Sequence, residues 1–256
     1  MNSEWNYGNM GPDVWSDIYP LCSEHSQSPI DIETSHTIYQ SFSPFNFSSN
    51  SNELEKFKLI NNGHTVSGIY IGNNKSSLTL NGGNLNGTFQ LDNFHVHWGE
   101  NYKSGSEHQI NDQKYAVEIH FVYLNRKTNE KAVLAMFLKS ILDTRGRKTN
   151  DYTSSQEWTK YWSIIKNLKE INDSNIIHLR LRSLMSKNRN NFWRYKGSLT
   201  TPPCSQGIIW TVFKEPIIVN DHELFRIRKN IFLKNFRSPQ RLYNRKVYRS
   251  FHYITN

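Results

Sequence analysis

This sequence predicts a mainly β (α+β) domain, and three observations carry that prediction. Short alternating or aromatic-rich runs separated by Gly/Asn turns fill the first half of the chain, which is how half-buried strands read. Only two segments carry helix-start signals. Seven Trp, thirteen Tyr and fourteen Phe in 256 residues supply a large core, and no internal repeat or long charge run divides it. One unit over residues 1–256 follows.

The elements come in order. Lys58–Ile60, Val66–Ile71, Leu78–Leu80, Thr88–Trp98 and Tyr115–Leu124 read as strands. Ser41–Asn52, rich in Ser and Asn, reads as a surface loop between extended segments. Ala132–Leu142 fits a strand or a helix by period, and its apolar run with Val133 and Phe137 favours a central strand. Ser154-x-x-Glu157 is a capping box, followed at helical spacing by Trp158, Tyr161, Trp162, Ile165 and Leu168. Asn220-x-x-Glu223 starts a second helix with Leu224, Ile227 and Ile231 along one side.

Composition excludes several classes. The longest wholly apolar run, Ala132 to Leu138, falls far short of the ~20 residues of a membrane span. Met1 leads into polar residues and Trp5 with no apolar stretch, so no signal peptide is read there. The formal net charge of +9 invites a nucleic-acid reading. Arg226, Arg228, Lys229, Lys234, Arg237, Arg241, Arg245, Lys246 and Arg249 crowd the last stretch, but apolar residues interleave with them. No RNP motif, zinc-finger spacing or phosphate loop accompanies them, so a solvated basic face is expected and no nucleic-acid partner. Cys22 and Cys204 lie too far apart for a CxxC motif; two buried free thiols are the default for a cytosolic chain.

The chemistry-bearing residues are histidines. In Phe94-His95-Val96-His97-Trp98 the imidazoles are two apart, so on a strand both point to one face. His120 lies in another strand-like run, where Glu118 shares its face and can orient it from behind. Three neutral imidazoles leave the fourth position of a tetrahedral zinc site to water, as in catalytic sites. Solvent-facing histidines give the same spacing, and both readings stand on spacing alone.

A second segment adds weight: Gly197-Ser198-Leu199-Thr200-Thr201-Pro202-Pro203-Cys204, followed by Ile208-Ile209-Trp210. Together with His95, His97 and His120 it resembles the signature of the α-class carbonic anhydrases. The resemblance covers nearly the whole chain. Trp5-Asn-Tyr7-Gly8, Gly11-Pro12, Trp15, Gln27-Ser28-Pro29-Ile30-Asp31-Ile32, Asn61-Asn62-Gly63-His64, Gly105-Ser-Glu107-His108 and Asn244-Arg245 all fit it in order.

The resemblance implies a large, twisted, mostly antiparallel sheet with short peripheral helices. It implies one zinc ion per chain on His95, His97 and His120, and reversible hydration of carbon dioxide to bicarbonate by zinc-bound hydroxide. Thr200 matches the gatekeeper that donates to Glu107 and accepts from the hydroxide; Thr201 matches a bicarbonate contact. Val122, Val133, Leu199, Ile208 and Trp210 match the apolar wall for carbon dioxide. Asn93 and Glu118 match the partners behind His95 and His120, and His108 a structural histidine outside the metal set. His64 matches the proton shuttle, with Tyr7, Asn62 and Ser67 beside the water chain and Thr65 crowding its swing.

Cys22 and Cys204 match the disulfide of secreted and membrane-anchored members, so an extracellular location is expected, with any lipid anchor carried by a segment outside this sequence. Sequons at Asn46, Asn74, Asn86 and Asn172 occur at about the frequency chance gives, though they allow a glycoprotein. The basic surface leaves weak polyanion binding as a second role. Members lacking zinc ligands act as binding modules, but here all three histidines, Thr200 and Glu107 are present.

Overall fold

The computed structural model describes residues 5–48, 53–72, 78–140, 156–219, 221–232 and 234–253. Fifteen strands are found among them: β1 (Asp31–Ile32), β2 (Ile38–Tyr39), β3 (Phe45–Phe47), β4 (Glu55–Asn61), β5 (Val66–Tyr70), β6 (Thr79–Gly82), β7 (Phe89–Trp98), β8 (Gln109–Ile110), β9 (Val117–Leu124), β10 (Lys131–Ser140), β11 (Ser174–Leu179), β12 (Phe192–Ser198), β13 (Gln206–Phe213), β14 (Ile217–Val219) and β15 (Tyr248–Arg249). Three short helices accompany them: α1 (Trp15–Ile18), α2 (Gln156–Ile165) and α3 (Asp221–Asn230).

Thirteen strands form one sheet whose main path runs β11-β4-β5-β7-β9-β10-β13-β12-β15-β2. Its pairings are mostly antiparallel; β10 with β13 and β14, and β15 with β2, run parallel. The middle strands β9 and β10 are buried along almost their whole length, as strands covered on both faces must be.

The two faces have different fillings. On β10, Ala132, Leu134, Met136 and Leu138 point into the main core with Trp158, Tyr161 and Trp162 of α2. Val133, Ala135 and Phe137 alternate onto the opposite face and join a second cluster with Trp193, Trp210 and Val212. The site lies on this second face.

One irregularity sets its phase. The register of β7 against β9 shifts between Leu91 and Asn93. Before this bulge the odd residues Phe89 and Leu91 enter the main core; after it the even residues Phe94, Val96 and Trp98 do. Asn93, His95 and His97 therefore share the other face.

Two sequence expectations change. Within Ser41–Asn52, Phe45–Phe47 is a strand paired with β6, because Phe45 and Phe47 both pack against the main core. Arg228 and Arg237 are buried rather than part of a solvated basic face, since each donates to carbonyls inside the fold. The helix expected after the Ser154 capping box is α2, and Leu168 is buried just beyond its end. Ser154 and Asn220, the expected cap residues, and the sequon Asn74 lie outside the described residues; Asn46, Asn86 and Asn172 are exposed. No described helix is long and apolar enough to cross a membrane.

Candidate metal centre

His95 and His97 come from β7 and His120 from the neighbouring β9. The ladder sets His95 directly opposite His120 and His97 opposite Glu118. Directly paired antiparallel residues share a face at a Cβ separation of roughly 5 Å, close enough for imidazoles to converge. Their ligand nitrogens lie within 4.8 Å of one another.

On each ring one nitrogen is occupied and the other is left for the centre. His95 Nδ1 is 2.9 Å from Asn93 Oδ1, and His97 Nδ1 is 2.7 Å from the Asn235 carbonyl. His120 Nε2 is 2.7 Å from Glu118 Oε1. These contacts fix ring orientation, leaving His95 Nε2, His97 Nε2 and His120 Nδ1 as the free set. Buried His97 Nε2 has no hydrogen-bond partner among the described residues, a costly condition that a cation relieves. Burial pulls His97 down to about 4 and lowers His95 and His120, so all three are neutral, as ligation requires. The donor set fits a cation such as zinc.

His108, Glu118 and His120 form a second cluster of suitable atoms. It is already closed: Glu118 Oε1 is 2.6 Å from His108 Nδ1 and 2.7 Å from His120 Nε2. Glu118 Oε2 accepts from the Glu107 and His108 N–H groups, and His108 Nε2 meets the Tyr195 hydroxyl at 2.7 Å. Burial alone raises the Glu118 carboxyl, yet His108 and His120 hold it well below the usual range.

Glu107 sits directly behind the histidines, its Oε2 3.4 Å from His97 Nε2. Burial pushes its carboxyl up to about 7, against the opposing pulls of His120, the Thr200 hydroxyl and the Arg237 N–H. Oε1 accepts from that N–H at 2.8 Å. A side chain at Gly105 would collide with the Ala116 carbonyl, so glycine lets this loop close onto β9. Thr200 is 4% exposed, in the turn between β12 and β13. That turn is closed by Leu199 N–H to the Ser205 carbonyl and Cys204 N–H to the Thr201 carbonyl.

Val122, Val133, Ile208 and Trp210 belong to the second cluster, with Leu199 packed against it. A cavity of about 360 Å³ opens over His95 and His97, and Tyr7, Asn62, His64, Ser67, Asn93 and Thr201 line it. The lining is mostly polar, and Val122, Val133, Leu199, Ile208 and Trp210 are not part of it. His64 stacks on Trp5 with centroids 3.5 Å apart and an interplanar angle of 6°. Its Nδ1 is unpartnered among the described residues, and burial lowers its pKa. Burial also raises the Tyr7 phenol well above its ordinary value. Cys22 and Cys204 form a disulfide packed against Trp15, tying the N-terminal arm to the Thr200 turn.

Sequence reasoning missed Asn235 and Arg237. Beyond its carbonyl, Asn235 accepts from Trp98 N–H and donates to the Val96 and His64 carbonyls. Arg237 donates to Gln27 Oε1, the Ser28 carbonyl and the Cys22 carbonyl. The only available signal was their place in the basic C-terminal stretch, which pointed outward.

The family model for eukaryotic-type carbonic anhydrases matches residues 10–251. The chain is 30% identical to mouse (Mus musculus) carbonic anhydrase 3, over 98% of this chain and 100% of that protein. It is also 30% identical to human (Homo sapiens) carbonic anhydrase 7, over 96% and 97%. The same identity holds for carbonic anhydrase 1 of Monodelphis domestica, over 98% and 99%. With a match over nearly its full length and a convergent histidine triad on adjacent strands, the chain belongs to the eukaryotic-type carbonic anhydrase family of lyases.

Proposed function

We propose that residues 1–256 form one catalytic domain that hydrates carbon dioxide reversibly, with one zinc ion held by His95, His97 and His120. The observation that carries this is the convergence of three neutral imidazoles, each with its second nitrogen engaged. Zinc, when bound, is a Lewis acid that lowers the pKa of water to about 7, a value taken from carbonic anhydrases themselves, and so supplies hydroxide at neutral pH.

The surrounding residues divide the remaining work. Thr200 donates its hydroxyl proton to Glu107 and keeps its lone pairs for an incoming O–H, so it selects protonated oxygens and aims them. Val122, Val133, Leu199, Ile208 and Trp210 offer carbon dioxide, which has no net dipole, a wall without competing hydrogen bonds. Thr201 offers the bicarbonate product a polar contact. Asn93 and Glu118 hold their histidines in the binding tautomer.

Each turnover releases a proton that must reach solvent. His64 carries it: the ordinary range of an imidazole lies nearest neutrality, although burial lowers it here, whereas the raised Tyr7 phenol stays protonated. Tyr7, Asn62 and Ser67 line the route as neutral hydrogen-bonding groups. The Trp5 stack holds His64 at the cavity wall, and Thr65 beside it, tied to the Val96 carbonyl, narrows its inward swing. His64→Ala is expected to lower kcat at low buffer with kcat/KM for carbon dioxide unchanged, and added imidazole to restore much of the loss. An unchanged kcat at low buffer counts against the shuttle.

The Cys22–Cys204 bond supports an extracellular location, since such bonds persist in oxidising compartments. The decisive experiment pairs elemental analysis with stopped-flow hydration. One zinc per chain with chelator-sensitive turnover is expected, and a metal-free preparation of full activity refutes the reading.

A further inference from the structure

On the other face of the sheet, two half-buried arginines have no carboxylate partner among the described residues. Arg182 lies in the short 3-10 helix Leu181–Leu184, and Arg189 in the following loop before β12. Both guanidinium groups pack over the ring of Phe47 on β3, with Cζ 5.6 and 5.7 Å from its centroid. Both arginines are half-buried. Arg182 Nε is inaccessible and without a hydrogen bond, and no carboxylate pairs with either guanidinium among the described residues.

Two neighbouring arginines together make more side-chain bonds than these two among the described residues. Arg180, two residues earlier, pairs with Glu157 at 2.7 Å. Arg194 also stacks on rings, those of Phe42, Phe45 and Phe192. Its Nε and Nη1 donate to Thr211 Oγ1 and the Gly83 carbonyl, and it is almost wholly enclosed, although its Nη2 is without a partner among the described residues. Arg194 is a structural cation. Arg189 gives one bond, to the Ser186 carbonyl, and Arg182 gives none among the described residues.

Two like charges beside one ring, partly removed from water, repel each other. Burial lowers the Arg189 pKa, and Arg182 lowers it further. Ring stacking attracts a cation but leaves its N–H groups unsatisfied. What satisfies two guanidinium groups together is an oxyanion, whose oxygens accept charge-assisted bonds from both.

We propose that Arg182 and Arg189, backed by Phe47, form a binding site for a tetrahedral oxyanion, a sulfate or phosphate group. The site is separate from the histidines. Phe47 pairs with Leu80, which pairs with Phe89, six residues before His95 on β7. At ~3.4 Å per residue that is about 20 Å along the strand, and on the opposite face. The group is either a free ion or an ester on a sulfated polysaccharide, the latter favoured by the chain's net charge of +9.

The test is isothermal titration of the zinc-loaded protein at constant ionic strength, with sodium sulfate and separately with a sulfated heparin oligosaccharide. Saturable binding of at least one probe is expected. Arg182→Gln or Arg189→Gln weakens it at least fivefold, and the double variant loses it. Arg226→Gln/Lys229→Gln, on the exposed side of α3, leaves it unchanged. Binding of sulfate alone identifies a free ion, and binding of the oligosaccharide only identifies a polymer-borne ester. Carbon dioxide hydration at the wild-type rate shows that each variant has folded. Failure of both probes, binding that survives in the double variant (an anion seated at the metal centre), or equal loss in the α3 control overturns the proposal.

Discussion

Thr200→Ala is expected to slow carbon dioxide hydration roughly 10²–10³-fold, the usual effect of deleting one preorganised hydrogen bond at a reacting oxygen. The zinc content should not change, because none of the three nitrogens that converge on the centre belongs to Thr200. Glu107 should also stay in place, since its Oε1 is held by the Arg237 N–H rather than by Thr200. Thr200→Ser keeps the hydroxyl and should keep most of the rate. Stopped-flow assays on metal-replete protein check all three, and near-wild-type turnover of the alanine variant would show that Glu107 and Thr200 do not orient the nucleophile.

The largest expected stability effect lies at Arg237. Its side chain is 2% exposed, and it is the donor to Gln27 Oε1 and to the Ser28 and Cys22 carbonyls. Burial pulls its pKa to about 10, so it remains charged at neutral pH. Arg237→Ala leaves these buried acceptors without their donor and removes a cation that attracts Glu107 and Tyr7. A loss of about 3–5 kcal/mol follows, as when one partner of a buried charged network is deleted. Arg237→Lys should recover only part of it, because a single ammonium cannot reproduce the planar fork. Denaturant unfolding with the disulfide intact measures both, and a change below about 1 kcal/mol would refute the assignment.

What was legible in the sequence was local. The i, i+2 rule places His95 with His97, Asn93 with His95, and Glu118 with His120, because strand neighbours two apart share a face whatever the tertiary fold. The β10 core was legible too, as the apolar run Ala132 to Leu138. Asn235 and Arg237 were not, because they reach the site across more than a hundred residues and partly through backbone atoms. The Asn235 carbonyl and the Arg237 N–H belong to no residue type, so no side-chain pattern announces them. Phe45 and Phe47 were hidden differently, their alternation diluted by surrounding Ser and Asn.

The bulge between Leu91 and Asn93 constrains how this gene can change length. Asp92 is its extra residue, since Leu91 pairs with Tyr123 and Asn93 with Val122; removing it closes the ladder into a regular alternation in which Leu91, Phe94 and Val96 keep the core face and His95 and His97 the other. A single-codon deletion at Asp92 is therefore expected to be tolerated far better than one among residues 94–98, where a loss puts ligand histidines or core residues on the wrong face. The bulge is where this strand can shorten by one residue without exchanging its faces.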